Sequence, residues 1–176
     1  NGSKAKIEVL DSDITFGGML TMGANVDTDY MASFVNSQIR NLATPADLKL
    51  AGGSGSSCAF IDSTLTGIKA ISRSAAGADF ALAVSNTTIE CSSTITLSGS
   101  RAKIEVFDSD ITLAGSLTVG AVGDTDHKAS FVNSYIRNRA ASASQLAING
   151  DNTEIILDHV DFSDTTHSWS SIANAK

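Results

Sequence analysis

The chain has 176 residues, 42% of them hydrophobic, with one proline, two cysteines and a formal net charge of −7. Its twelve basic residues are scattered, so no basic patch for nucleic acid is expected, and no apolar run approaches the ~20 residues of a membrane-spanning helix. This length and apolar content suit one continuous core, and residues 1–176 are read as a single domain.

In chain order, one short pattern keeps returning. Ile7 and Val9 lead to Asp11, Ala32 and Phe34 to Asn36, Cys58 and Phe60 to Asp62, and Leu82 and Val84 to Asn86. Ile104 and Val106 then lead to Asp108, Ala129 and Phe131 to Asn133, and Ile155 and Leu157 to His159. Alternation with a period of two, in segments rich in Val, Ile, Phe and Thr, predicts strands. A second short strand is predicted in most units, at 20–22, 48–50, 68–71, 95–97, 117–119 and 146–148, with Gly, Ser, Asn and Asp clusters as the turns between. Only 43–50 shows a weak helical period.

The polar slot falls at Asp11, Asn36, Asp62, Asn86, Asp108, Asn133 and His159, spaced 25, 26, 24, 22, 25 and 26 residues apart. The first four spacings sum to 97, and at that offset residues 3–47 return as residues 100–144 with 30 of 45 positions identical. A Ser or Thr follows the polar slot in six units, and Ile14, Ile39, Leu65, Ile89, Ile111, Ile136 and Phe162 fill the last apolar column. Strand and turn closing every ~25 residues leave no room for a crossover helix, so each unit is predicted to be one coil of an all-β solenoid of about seven coils. Equivalent strands would pair in parallel ~4.8 Å apart, giving a rod ~34 Å tall with Phe34 and Phe60 in contact inside. The Asp/Asn column is expected at a bend, its side chains bonding the backbone of the next coil. A β-sandwich also has many short strands, but it does not explain that column.

The stretches IEVLDSDI, SFVNSQI, AFIDSTL and IEVFDSDI resemble coils of right-handed parallel β-helices, the pectate-lyase-like architecture. The resemblance covers nearly the whole chain, and that architecture occurs in polysaccharide lyases, phage tailspikes and the passenger regions of secreted bacterial surface proteins. Its internal Asn ladder corresponds to the Asp11/Asn36/Asp62/Asn86 column, although aspartate fills half of those slots here. Polygalacturonase motifs are absent from the sequence.

Candidate chemistry is sparse. Asp27-Thr28-Asp29 and Asp124-Thr125-Asp126 lie outside the core columns, and Asp27, Asp29, Asp124 and Asp126 form the candidate set for Ca²⁺, which takes oxygen ligands. Aspartate also makes turns by bonding its own backbone, and this is the simpler reading of the Asp-x-Asp pairs. Adjacent units place Gln38 and Thr64 beside Asp13, so no carboxylate pair for glycosidase chemistry persists across coils. Arg40 and Arg137 stand 97 residues apart as would-be lyase bases, and His127, His159 and His167 have no metal-ligand spacing. No catalytic residues are therefore assigned. Cys58 takes an inward slot and reads as a small buried hydrophobe, with no disulfide to Cys91 expected.

Between the two long copies Tyr30 becomes His127, Met31 becomes Lys128, Gln38 becomes Tyr135 and Leu42 becomes Arg139, while core columns stay fixed. Tyr30, His127, Tyr135 and Arg139 are therefore expected at the surface, as candidates for recognition. Leu10, Val35, Ile61, Phe107 and Val132 form an aliphatic stripe that points outward by strict alternation, unless a bend turns it in, and facing outward it predicts self-association or lateral packing with another chain or domain. The chain starts within a coil, which suggests a piece of a longer repeat protein or end-to-end association. The expectation is a non-enzymatic structural or adhesive module of a secreted or bacterial cell-surface fibre, binding a host-surface glycan or protein, with no cofactor beyond the calcium candidate. The alternative is a carbohydrate-active β-helix such as a tailspike-like depolymerase or lyase segment.

Overall fold

A computed structural model describes residues 4–24, 28–42, 46–73, 79–121, 123–139 and 146–162. The first coil is β1 (Lys6–Leu10), β2 (Asp13–Phe16) and β3 (Leu20–Met22), and the second β4 (Met31–Val35), β5 (Gln38–Asn41) and β6 (Ala46–Leu50). The third has β7 (Ser57–Ile61) and the long β8 (Thr64–Arg73); the fourth has β9 (Ala81–Ser85), β10 (Thr88–Cys91) and β11 (Ile95–Leu97). The fifth is β12 (Lys103–Phe107), β13 (Asp110–Leu113) and β14 (Leu117–Val119), and the sixth β15 (Lys128–Val132), β16 (Tyr135–Asn138) and β17 (Leu146–Ile148). A seventh opens with β18 (Glu154–Asp158).

All pairing is parallel, rung over rung. The first face is the seven-stranded ladder β1-β4-β7-β9-β12-β15-β18. The second stacks β2, β5, the start of β8, β10, β13 and β16, and the third stacks β3, β6, the rest of β8, β11, β14 and β17. The protein is thus a parallel β-solenoid. About five turns are enclosed above and below by neighbours, where seven equivalent coils were expected, because β1 and β18 are edges.

Three differences from the sequence reading have physical causes. The first, second, fourth, fifth and sixth coils have three strands rather than two, because the residue in the polar slot takes a left-handed conformation and breaks one predicted strand into two. Among the described residues, the second and third strands merge in the third coil. There Gly67 (φ 68°) turns the corner inside β8, and a Cβ on it would lie 2.5 Å from the Asn41 carbonyl oxygen. The weak helical period at 43–50 belongs instead to strand β6 from Ala46 onward, while 43–45 lie outside the described residues.

The interior is the stack of inward columns. Ile104, Val106, Ile111, Leu113, Leu117 and Val119 are all buried, and Phe34 and Phe60 stack with ring centroids 5.3 Å apart. Cys58 and Cys91 are buried and free, and burial pushes the Cys91 thiol up to about 12 and that of Cys58 higher still. Arg73 is the exception. It occupies the inward slot that holds Leu97 in the rung above, and its guanidinium lies 4.8 Å from the centre of the Phe80 ring. It donates to the carbonyls of Gly52 and Ser98, while burial holds it below its ordinary value against the opposing pull of Asp124.

The internal polar ladder is made by hydroxyls, not by the Asp/Asn column. The backbone N–H groups of Ser12, Ser37, Ser63, Thr87 and Ser109 each donate to the hydroxyl one coil above, at 3.1–3.3 Å. Each hydroxyl from Ser12 to Ser134 in turn donates to the carbonyl two residues before it, at 2.6–2.8 Å. The Asp and Asn side chains expected in this role point into solvent. Their neighbours, one residue further on, face the core and meet its polar backbone.

Candidate functional site

Asp11, Asn36, Asp62, Asn86, Asp108, Asn133 and His159 all have φ between 46° and 51°. Asn and Asp tolerate this region best among residues with a Cβ, which accounts for the chemistry of the column. The seven side chains stand exposed in one row along the corner between the first and second faces. Asp and Asn alternate, so a carboxylate has an amide as its neighbour: Asn36 Nδ2 donates to Asp11 Oδ1 at 2.6 Å and Asn86 Nδ2 to Asp62 Oδ1 at 2.7 Å. Stacked carboxylates ~4.8 Å apart would repel instead.

This row is one wall of a shallow polar trough. The other wall is the first outward column of the second face, Asp13, Gln38, Thr64, Thr88, Asp110, Tyr135 and Asp161, placed over one another by the strand register. The stretch around Asp11, Asn36 and Asp62 and that around Asn86, Asp108 and Asn133 each hold about 400 Å³. Arginines from the next outward column reach back to this wall: Arg40 pairs with Asp13, and Arg137 Nη1 lies 2.8 Å from Asp110 Oδ2. The Arg137 guanidinium also sits 5.1 Å from the Tyr135 ring centre, propping up an aromatic ring that is 48% exposed.

The remaining sequence-predicted site residues separate. Asp27 lies outside the described residues. Asp29 and Asp126 belong to a second left-handed column, two residues before each strand of the first face. Its members are Lys4, Asp29, Gly55, Asp79, Arg101, Asp126 and Asn152, with φ between 54° and 74°. Here Arg101 pairs bidentately with Asp79 and draws its carboxyl below the ordinary range. Hydrogen bonds from Asn152 and Thr125 do the same for Asp126. The Asp124 carboxylate instead closes a turn, accepting from the backbone N–H groups of Ala121 (2.8 Å) and Gly99 (3.0 Å). Among the described residues no three His, Cys, Asp or Glu side chains gather as a metal site requires.

Tyr30 and His127 are corrected. They are 3% and 1% exposed and therefore form no recognition surface. Each ring precedes a strand of the first face and packs against a glycine turn, Gly23 for Tyr30 and Gly120 for His127, where the missing Cβ leaves the room the ring fills. Tyr135 and Arg139 are exposed, Tyr135 in the trough and Arg139 at the end of the second face.

Comparison with family models, curated proteins and solved structures finds no match. The trough therefore stands on its own geometry. Its register could be read from the recurring Asp/Asn slot, but its second wall could not, since Asp13, Gln38, Thr64, Thr88 and Tyr135 share no chemistry. The aliphatic stripe faces outward: Leu10 is 58% and Phe107 37% exposed, with Val35, Ile61 and Val132 half-buried. Ser85 interrupts it in the fourth rung.

Proposed function

We propose that the chain is a non-enzymatic structural module of an extracellular or bacterial cell-surface fibre, with the trough as its adhesive face toward a glycan. The observation that carries this reading is the straight row of seven exposed hydrogen-bonding side chains, one per rung, on a backbone that inner hydroxyls hold in register. Donors and acceptors repeated every ~4.8 Å suit a linear polyhydroxyl chain lying along the rod, since an extended glycan advances by a similar distance per ring. Tyr135 adds a flat π-face on which a sugar ring can stack, already oriented by Arg137. Mild acidity favours neutral or basic glycans over sulfated and uronate-rich ones.

The test is binding to an array of bacterial and host polysaccharides. Tyr135→Ala should weaken the best ligand by about tenfold or more, with an unchanged melting temperature because the ring is half exposed. No binding to any glycan ends the adhesive reading. Release of new reducing ends or unsaturated sugars from a bound polysaccharide replaces it with the carbohydrate-active alternative.

A further inference from the structure

The 97-residue duplication copies the trough as well as the coil. Asp11, Asp13 and Asn36 of its first stretch return as Asp108, Asp110 and Asn133 of the second, and the two stretches hold about 400 and about 390 Å³. Both are bracketed in the same way. Arg40 reaches back one rung to Asp13, and Arg137 reaches back one rung to Asp110, 2.8 Å away. The third and fourth rungs, which lie between, are built differently. There the column of Arg40 and Arg137 holds Thr66 and Glu90, and the wall falls to the short Thr64 and Thr88. The two bracketed stretches differ at one position of the wall, Gln38 in the first against Tyr135 in the second.

We propose that the trough holds two matching glycan subsites four rungs, ~19 Å, apart, and that one linear glycan of about six rings or more engages both. This rests on the reading of the trough as a glycan-binding face, and adds to it the number of subsites and the length of the ligand. The solenoid favours two-point engagement, because parallel strands and the inner hydroxyl ladder hold both subsites in register on one rod. No protein segment has to be ordered for the second contact. Once one end of the glycan is held, the other meets its subsite as an intramolecular event, and avidity grows without any new kind of contact. The subsites are also unequal in a defined way. Gln38 offers only hydrogen bonds, whereas Tyr135 offers a ring face that Arg137 orients, so the second subsite is the tighter one for a short ligand.

Calorimetry of the whole chain tests this, with size-fractionated oligomers cut from the neutral polysaccharide that binds best on the array. Oligomers of about three rings should fill two sites per chain, whereas those of about six rings or more should bind one per chain and about 100-fold tighter. Gln38→Tyr gives the first subsite the ring of the second and should tighten the weaker short-oligomer site about tenfold, while Tyr135→Gln should loosen the tighter one by a similar factor. Both positions are exposed, so each variant should melt with the parent. One short oligomer per chain overturns the two-subsite proposal and leaves the trough a glycan-binding face. An affinity that rises evenly ring by ring at constant stoichiometry does the same, since it describes one continuous groove. Two short-oligomer sites that both ignore Gln38→Tyr and Tyr135→Gln lie elsewhere and also overturn it. Failure of every polysaccharide on the array to bind removes the glycan reading itself, and this proposal with it.

Discussion

Ser63 shows how much of the molecule rests on a hydroxyl. Its Oγ accepts from the N–H of Ser37 and donates to the carbonyl of Ile61, and both residues 37 and 63 are buried. Ser63→Ala leaves a buried N–H without its acceptor, a loss of about 1–3 kcal/mol, measurable by urea unfolding. Ser63→Thr should be nearly neutral, since Thr87 makes the same two bonds one coil above. His127 carries a different liability. Among the described residues neither ring nitrogen has a hydrogen-bond partner, and burial holds the imidazole below its ordinary value against the opposing pulls of Asp124, the Ala102 backbone and Asp126. A depressed folded-state value means that the unfolded chain binds the proton more readily. The stabilisation from neutral His127 is therefore complete above the unfolded value of ~6.5 and declines as pH falls below it. The melting temperature should drop between about pH 7 and pH 5, and His127→Tyr, which restores the residue of the first copy, should flatten that drop.

At the level of elements, left-handed corners decide where strands stop. Asn36 at φ 49° separates β4 from β5, and among the described residues its side chain bonds only the exposed Asp11 carboxylate. Asn36→Ala forces a Cβ without compensating polar contacts into that region, at roughly 1–2 kcal/mol, whereas Asn36→Gly should cost clearly less. Comparing the two by thermal unfolding separates backbone strain from the lost hydrogen bond, which both variants share. The same logic explains what could be read in advance. Parallel stacking, the inward columns and the first corner were legible because each repeats one residue type at one spacing. The second corner was not, because Lys4, Gly55, Asp79 and Arg101 occupy it with unlike side chains. Two of its members, Asp29 and Asp126, are calcium candidates of the sequence, and what they share with the rest of the column is a left-handed backbone conformation. Tyr30 and His127 misled for a related reason. Variation between copies signals exposure only where the backbone leaves no hollow, and the glycines at 23 and 120 make one.

For the whole molecule, the solenoid implies that coils are interchangeable wherever columns match. Deleting residues 108–132 joins Phe107 to Asn133, so that one left-handed corner residue replaces another. The new neighbours are chemically sound: β12 meets β18 with Lys103 beside Glu154, Ile104 beside Ile155 and Val106 beside Leu157, while β10 meets β16 with Ile89 beside Ile136. The Thr87 N–H, which now donates to Ser109, finds the Ser134 hydroxyl in the same place. Arg73 keeps Gly52, Phe80 and Ser98, since none of them is removed. The shortened chain should therefore fold with the β-sheet circular dichroism of the parent and a rod shorter by one rung, ~4.8 Å, by small-angle scattering. Removing only residues 108–131 leaves Val132 as an extra residue at a corner that every other coil turns with a single left-handed residue, and it should melt well below the matched deletion. Equal melting of the two would show that columns do not govern the stack, because a β-branched residue has no place in that turn.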